Sequence, residues 1–82
     1  MTKNLEEIRR IVAAALADAG DGQPFSDDDS LVVSGRLGSL DVVTILTSLE
    51  ETFGVQIHAD DFDPMHFDSV QSIQAMLEQL RS

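Results

Sequence analysis

In Gly35-Arg36-Leu37-Gly38-Ser39-Leu40-Asp41-Val42-Val43 a polar, glycine-punctuated loop stops and a strongly patterned helix begins, with a serine at the junction. From there Val42, Ile45, Leu46, Leu49 and Phe53 gather on one face at about 100° per residue. Asp41, Thr44, Thr47, Ser48 and Glu51 take the opposite face. The spacing predicts a helix from about Ser39 to Phe53, stopped by Gly54. Leu40 and Val43 fall on or beside the polar side, a placement suited to contact with a partner. A helix start leaves N–H groups unpaired and carries partial positive charge, so the junction accommodates an anion. Ser39 is suited there to capping the helix or to carrying a covalently attached phosphate.

Before this junction, residues near 4–19 form an amphipathic pattern. Leu5, Ile8, Val12, Ala15, Leu16 and Ala19 recur at helical spacing, and Glu6, Glu7, Arg9 and Arg10 face away. Thr2 or Asn4 is placed to cap that helix and Gly20 to end it. Residues 20–37 make a long connection, with Phe25 and Leu31-Val32-Val33 as apolar islands that pin it to the core. After the second helix, Val55-Gln56-Ile57 reads as an extended linker with Val55 and Ile57 turned inward. His58 to Phe67 holds a short helical turn, limited by Asp63-Pro64, with Phe62, Met65 and Phe67 as its apolar contacts. A last helix starts at Asp68 or Ser69, with Asp68 in the cap position of a capping box. Val70, Ile73, Leu77 and Leu80 form its stripe, with Met76 beside it. The expected fold is all-α, with three main helices, a short third helix and a long first loop, in one domain over residues 1–82.

Fifteen acids against five Lys and Arg give a formal net charge of −10, which opposes binding to a phosphate backbone. A basic protein partner is the natural complement. The absence of cysteine excludes a disulfide framework and thiolate chemistry of the chain's own. No window approaches the roughly 18 apolar residues of a membrane span. A cytoplasmic monomer is the expectation.

Other chemistries fit poorly. Starting an EF-hand loop at Asp27 puts Val32 where glycine is required. Starting at Ser30 places Gly35 and Asp41 correctly but leaves Ser30, Val32 and Ser34 as early ligands, so a solvated acidic loop is the better reading. His58 and His66 lack a second ligand at helical spacing. A hydrolase elbow around Ser39 needs glycines where Leu37 and Asp41 stand, and a strand that an all-α chain lacks. The chain is therefore not expected to be an enzyme.

Gly38-Ser39-Leu40-Asp41, the ending Leu49-Glu50-Glu51-Thr52-Phe53-Gly54, and Phe67-Asp68-Ser69-Val70-Gln71-Ser72-Ile73 resemble the acyl carrier protein family over nearly the whole chain. The resemblance implies a small helical domain whose Ser39 is modified with 4′-phosphopantetheine from coenzyme A. That group's thiol holds acyl or aminoacyl groups as thioesters. The resemblance also implies that Leu40, Asp41, Val43, Thr44, Thr47, Glu50 and Glu51 meet basic patches on partner enzymes. Those partners are a phosphopantetheinyl transferase, a loading ligase and acyl-processing enzymes of fatty-acid or polyketide type. Where the family shelters an acyl chain between its second and third helices, the matching positions are Val42, Leu46, Ile57 and Phe62.

The family usually has Asp-Ser-Leu, and here Gly38 stands in the aspartate position. With position 38 as N-cap, Ser39 is the first helical residue and Asp41 the third, within reach of the helix dipole. The fold tolerates this change, but the transferase loses one negative charge where it docks. Thr44 thins the anionic stripe further, and together with Ser34-Gly35-Arg36-Leu37 and Asp61-Phe62-Asp63 this likens the chain to specialised stand-alone carriers, including aminoacyl and D-alanyl types. The alternative is an acidic interaction module without a prosthetic group.

Overall fold

The structure, a computed structural model, describes residues 2–58 and 63–81. Among them are α1 (Thr2–Asp18), α2 (Ser39–Phe53), a 3₁₀ turn (Pro64–Phe67) and α3 (Val70–Arg81), with no strand. The regular structure of the described residues is all-helical, as the periodicity predicts. α1 packs against both α2 and α3, and the 3₁₀ turn lies against the same two helices. Ile8, Val12 and Leu16 of α1 meet Ile45 and Leu49 of α2 and Val70 and Ile73 of α3 in one core, which Leu31 and Phe67 complete. No polar or charged residue among those described is buried in it. No described helix is long and apolar enough to cross a membrane.

The helix ends follow local chemistry, with several departures from expectation. Gly20 adopts φ 86°, and the Gly20 and Asp21 N–H groups donate to Ala17 and Leu16 carbonyls at 3.0 and 2.8 Å. That paired closure needs a left-handed residue, which glycine supplies without a Cβ penalty. Gly54 ends α2 at φ 65° with a single bond, its N–H donating to the Glu50 carbonyl at 3.0 Å. α1 starts earlier than expected, so Thr2 and Asn4 lie inside it and neither is its cap, while Ala19 is exposed beyond its end. Pro64 begins the 3₁₀ turn instead of limiting it. Asp63 is the cap, its carboxylate accepting from Met65 N–H at 3.0 Å, and proline suits a first position whose N–H is unpaired anyway. Met65 is exposed, and among the described residues Phe67 is the buried anchor of the turn; Phe62 lies outside the described residues.

Asp68 does not cap α3. Ser69 does, through a reciprocal box in which Ser72 N–H donates to Ser69 Oγ at 3.1 Å and Ser69 N–H donates to Ser72 Oγ at 3.0 Å. A serine thus fills the third position that Glu or Gln commonly takes. Asp68 is released for a distant partner, the loop before Ser39.

Candidate functional site

The long connection is held at several points, and the fastenings decide where Ser39 stands. Leu31 is buried and its N–H donates to the Asp68 carbonyl at 2.6 Å. Leu37, also buried, donates to the Leu31 carbonyl at 2.9 Å, closing the segment between them into a loop with its turn at Gly35. The Asp68 carboxylate accepts from the Ser30 hydroxyl at 2.7 Å and from Val32 and Val33 N–H at 2.9 and 3.0 Å. The Val33 N–H, with the Ser30 hydroxyl and Val32 N–H, holds this carboxyl below its usual range against the upward push of burial. Val33 itself is exposed, so of the apolar islands Leu31 does the anchoring, with Phe25 and Val32 partly buried beside the core.

Two arginines fasten the outer part of the same connection. Arg36 forks onto Asp21 and also donates to the Gln23 and Pro24 carbonyls at 2.8 and 3.3 Å. Arg9 of α1 forks onto Asp27 at 2.6 and 2.7 Å. Each guanidinium keeps its partner carboxyl below the ordinary value. Asp29 accepts from Ser26 N–H at 2.8 Å, so two of the acids in the Asp27–Asp29 run serve the loop's own geometry. His58 is exposed and His66 half-buried. Among the described residues no group of three His, Cys, Asp or Glu is placed to hold a metal ion.

Gly38 is the N-cap of α2 at φ −90°, ψ 179°, an extended backbone open to any residue. Its carbonyl accepts the first helical bond from Val42 N–H at 3.0 Å, and its N–H donates to Asp41 Oδ2 at 2.9 Å. Glycine has no side-chain acceptor, so only the Asp41 half of the capping box exists. Ser39 follows, exposed, with a hydroxyl that has no hydrogen-bond partner among the described residues. Leu40 beside it is 82% exposed and Val43, one turn on, 52%. A Cβ at position 38 would meet nothing closer than Asp41 Oδ2 at 3.6 Å. Gly38→Ser should therefore fit and complete the box, raising stability by roughly 0.3 kcal/mol. A small rise in thermal midpoint checks this, and a fall would mean that position 38 needs glycine for another reason.

The other α2 residues divide by what holds them. Thr44 and Thr47 turn their hydroxyls back onto the Leu40 and Val43 carbonyls at 3.0 and 3.1 Å. Glu50 is half-buried, and its Oε2 accepts from Ile57 N–H at 2.9 Å, tying the linker to the helix. Glu51 is exposed, and α2 contains no Lys or Arg.

Beside Ser39 lies an open groove of about 360 Å³. Val32 and Leu37 from the loop, Val42 and Val43 from α2, and Pro64 from the 3₁₀ turn line it, with Gly38 and Ser39 on the same wall. Of the four positions matched to an acyl shelter, Val42 lines this groove. Leu46 and Ile57 pack on the core instead, and Phe62 is outside the described residues. Val32, Leu37 and Pro64 escaped the sequence reading because three separate segments bring them together. The signal available in the sequence is Leu37, an apolar residue standing between Arg36 and Gly38 at the end of the loop.

The groove and the serine occupy one end of a helical domain whose loop is built to hold them still. The family model described as "Phosphopantetheine attachment site" matches residues 6–80, from the first turns of α1 almost to the end of α3. No curated protein and no solved structure matches the chain. With that family model covering more than half of its length, the chain belongs to the acyl carrier protein family, and 4′-phosphopantetheine is its prosthetic group.

Proposed function

We propose that Ser39 bears the phosphopantetheine and that the chain is a non-catalytic carrier of acyl or aminoacyl groups, built as one antiparallel helical domain working in the cytoplasm. The observation that carries the attachment is the Ser39 hydroxyl, exposed on the first turn of α2 and, among the described residues, without a hydrogen-bond partner. The nearby loop serines are less suitable: Ser30 is engaged with Asp68, and Ser34 with the Leu31 carbonyl at 3.3 Å. The residues around Ser39 also fit a phosphate. The first-turn N–H groups and the positive end of the helix favour an anion, and Gly38 adds neither bulk nor charge. When attached, the group supplies the thiol that carries cargo as a thioester.

Incubation with coenzyme A and a broad-specificity phosphopantetheinyl transferase, followed by intact mass measurement, tests the reading. A gain of one phosphopantetheinyl unit that vanishes in Ser39→Ala is the expected result. No gain, or a gain that survives Ser39→Ala, defeats it. Absence of modification in protein from its native cells, with full function in Ser39→Ala, would instead describe an acidic interaction module.

Docking follows from the same face. We assign Leu40 and Val43 the apolar contact, and Glu51 the charge that meets a basic patch on a transferase, loading ligase or processing enzyme. Asp41, Thr44, Thr47 and Glu50 flank them while bonded within the chain. Glu51→Lys should weaken partner binding by about threefold to tenfold at low salt and less at high salt, with folding unchanged. Titration of the holo form against a loading enzyme at two ionic strengths measures this. Equal affinities for parent and variant would remove Glu51 from the docking face.

A further inference from the structure

The groove beside Ser39 has a buried floor and an exposed rim. Leu37 and Val42 are almost wholly buried, while Val43 and Pro64 face solvent. The large apolar side chains left exposed among the described residues are Val33, Leu40, Val43 and Met65. Each lines the groove or directly follows in sequence a residue that does. Exposed apolar area is thus concentrated where covering it would be favourable, at roughly 25 cal/mol per Å². Anything joined to Ser39 is tethered to the groove's own wall, so weak apolar contact suffices to hold it.

We propose that this groove receives the near half of the phosphopantetheine arm, the branched pantoyl segment. Its geminal methyl pair packs against Val32, Val42 and Val43, and the thiol-bearing half stays outside. The inference rests on attachment at Ser39. Chemistry decides which part enters. The pantoyl carbons are the arm's one compact apolar unit, whereas the amides beyond them lose hydrogen bonds to water if they lie on an apolar floor. The arm is then partly ordered at its root and free at its reactive end.

Isotope-filtered NMR tests this on labelled chain converted to the holo form with unlabelled coenzyme A, after mass measurement confirms full modification. Cross-peaks between the geminal methyl protons and the methyl groups of Val32, Val42 and Val43 are expected. Shift changes between apo and holo forms should extend from Ser39 to Val32. Val43→Gln, on an exposed helical position, should keep the apo melting temperature and, once its full mass gain is confirmed, weaken the cross-peaks to Val32 and Val42. Full mass gain without cross-peaks, and with shift changes confined to residues 38–41, overturns the groove assignment and leaves Ser39 attachment standing. Failure to gain mass overturns the attachment and the groove assignment together.

Discussion

Phe67→Ala is expected to lower the stability of the domain by about 4 kcal/mol. Phe67 is 0% exposed and heads the fully buried side chains by volume. It closes the 3₁₀ turn that lies against both α2 and α3, so truncation opens a cavity where three elements meet. Substitutions of this kind cost about 3–5 kcal/mol because the surroundings relax only in part. A chain of 82 residues has roughly 4–12 kcal/mol in all, so the variant should lose about a third or more of its stability. Urea unfolding followed by circular dichroism measures the effect, with a lower midpoint at an unchanged slope. Phe67→Leu, which keeps most of the volume, should recover more than half of the loss. A cost below about 1 kcal/mol for the alanine variant would mean that the turn can collapse onto the core without the ring.

Asp68→Ala is expected to cost about 2 kcal/mol. The change leaves the Val32 and Val33 N–H groups without an acceptor and frees the Ser30 hydroxyl. Asp68→Asn should cost about half as much: its amide oxygen can still serve the two N–H groups, and the Ser30 hydroxyl can reverse to accept. Amide exchange at Val32 and Val33 should accelerate in Asp68→Ala and much less in Asp68→Asn. If both amides stay protected in the alanine variant, Leu31 alone holds the loop.

The pH dependence carries the same signature. The Asp68 carboxyl lies below its ordinary value of 3.8 in the folded chain, so the unfolded chain binds its proton more readily. Its contribution is complete above 3.8 and disappears as pH falls through the lower folded value. Asp21 and Asp27, lowered by Arg36 and Arg9, act in the same direction. Thermal midpoints measured from neutral pH into the acid range should fall in the parent. They should fall less steeply in Asp68→Asn, which has one fewer carboxyl to protonate.

Much of this architecture is legible in the residues because its causes are local. Helical spacing and a terminal glycine give the bounds of α2, Ser39–Phe53, and Gly54 at its end. The stripe of Val70, Ile73 and Leu77 in α3 follows from periodicity alone, as does the exposure of Leu40 and Val43. The misreadings share one origin. Asp68 stands directly before a serine and a helix, so cap chemistry claims it, while its true partners lie 35 to 38 residues away. Pro64 reads as a limit because proline ends helices more visibly than it begins them. Arg36 and Arg9 carry no local mark of their carboxylate partners, and a groove assembled from a loop, a helix and a turn has no contiguous motif.

The Asp68 clasp also orders the events of synthesis. The loop that leads into Ser39 is fastened to a residue that the ribosome adds much later, and α3 must begin before that residue is set in place. Contacts so distant in sequence form late, because the intervening chain must first be ordered. A nascent chain that has emerged only through α2 exposes the serine on an unfastened loop. Presentation of Ser39 in its finished geometry therefore requires the chain as far as Asp68 to be in place.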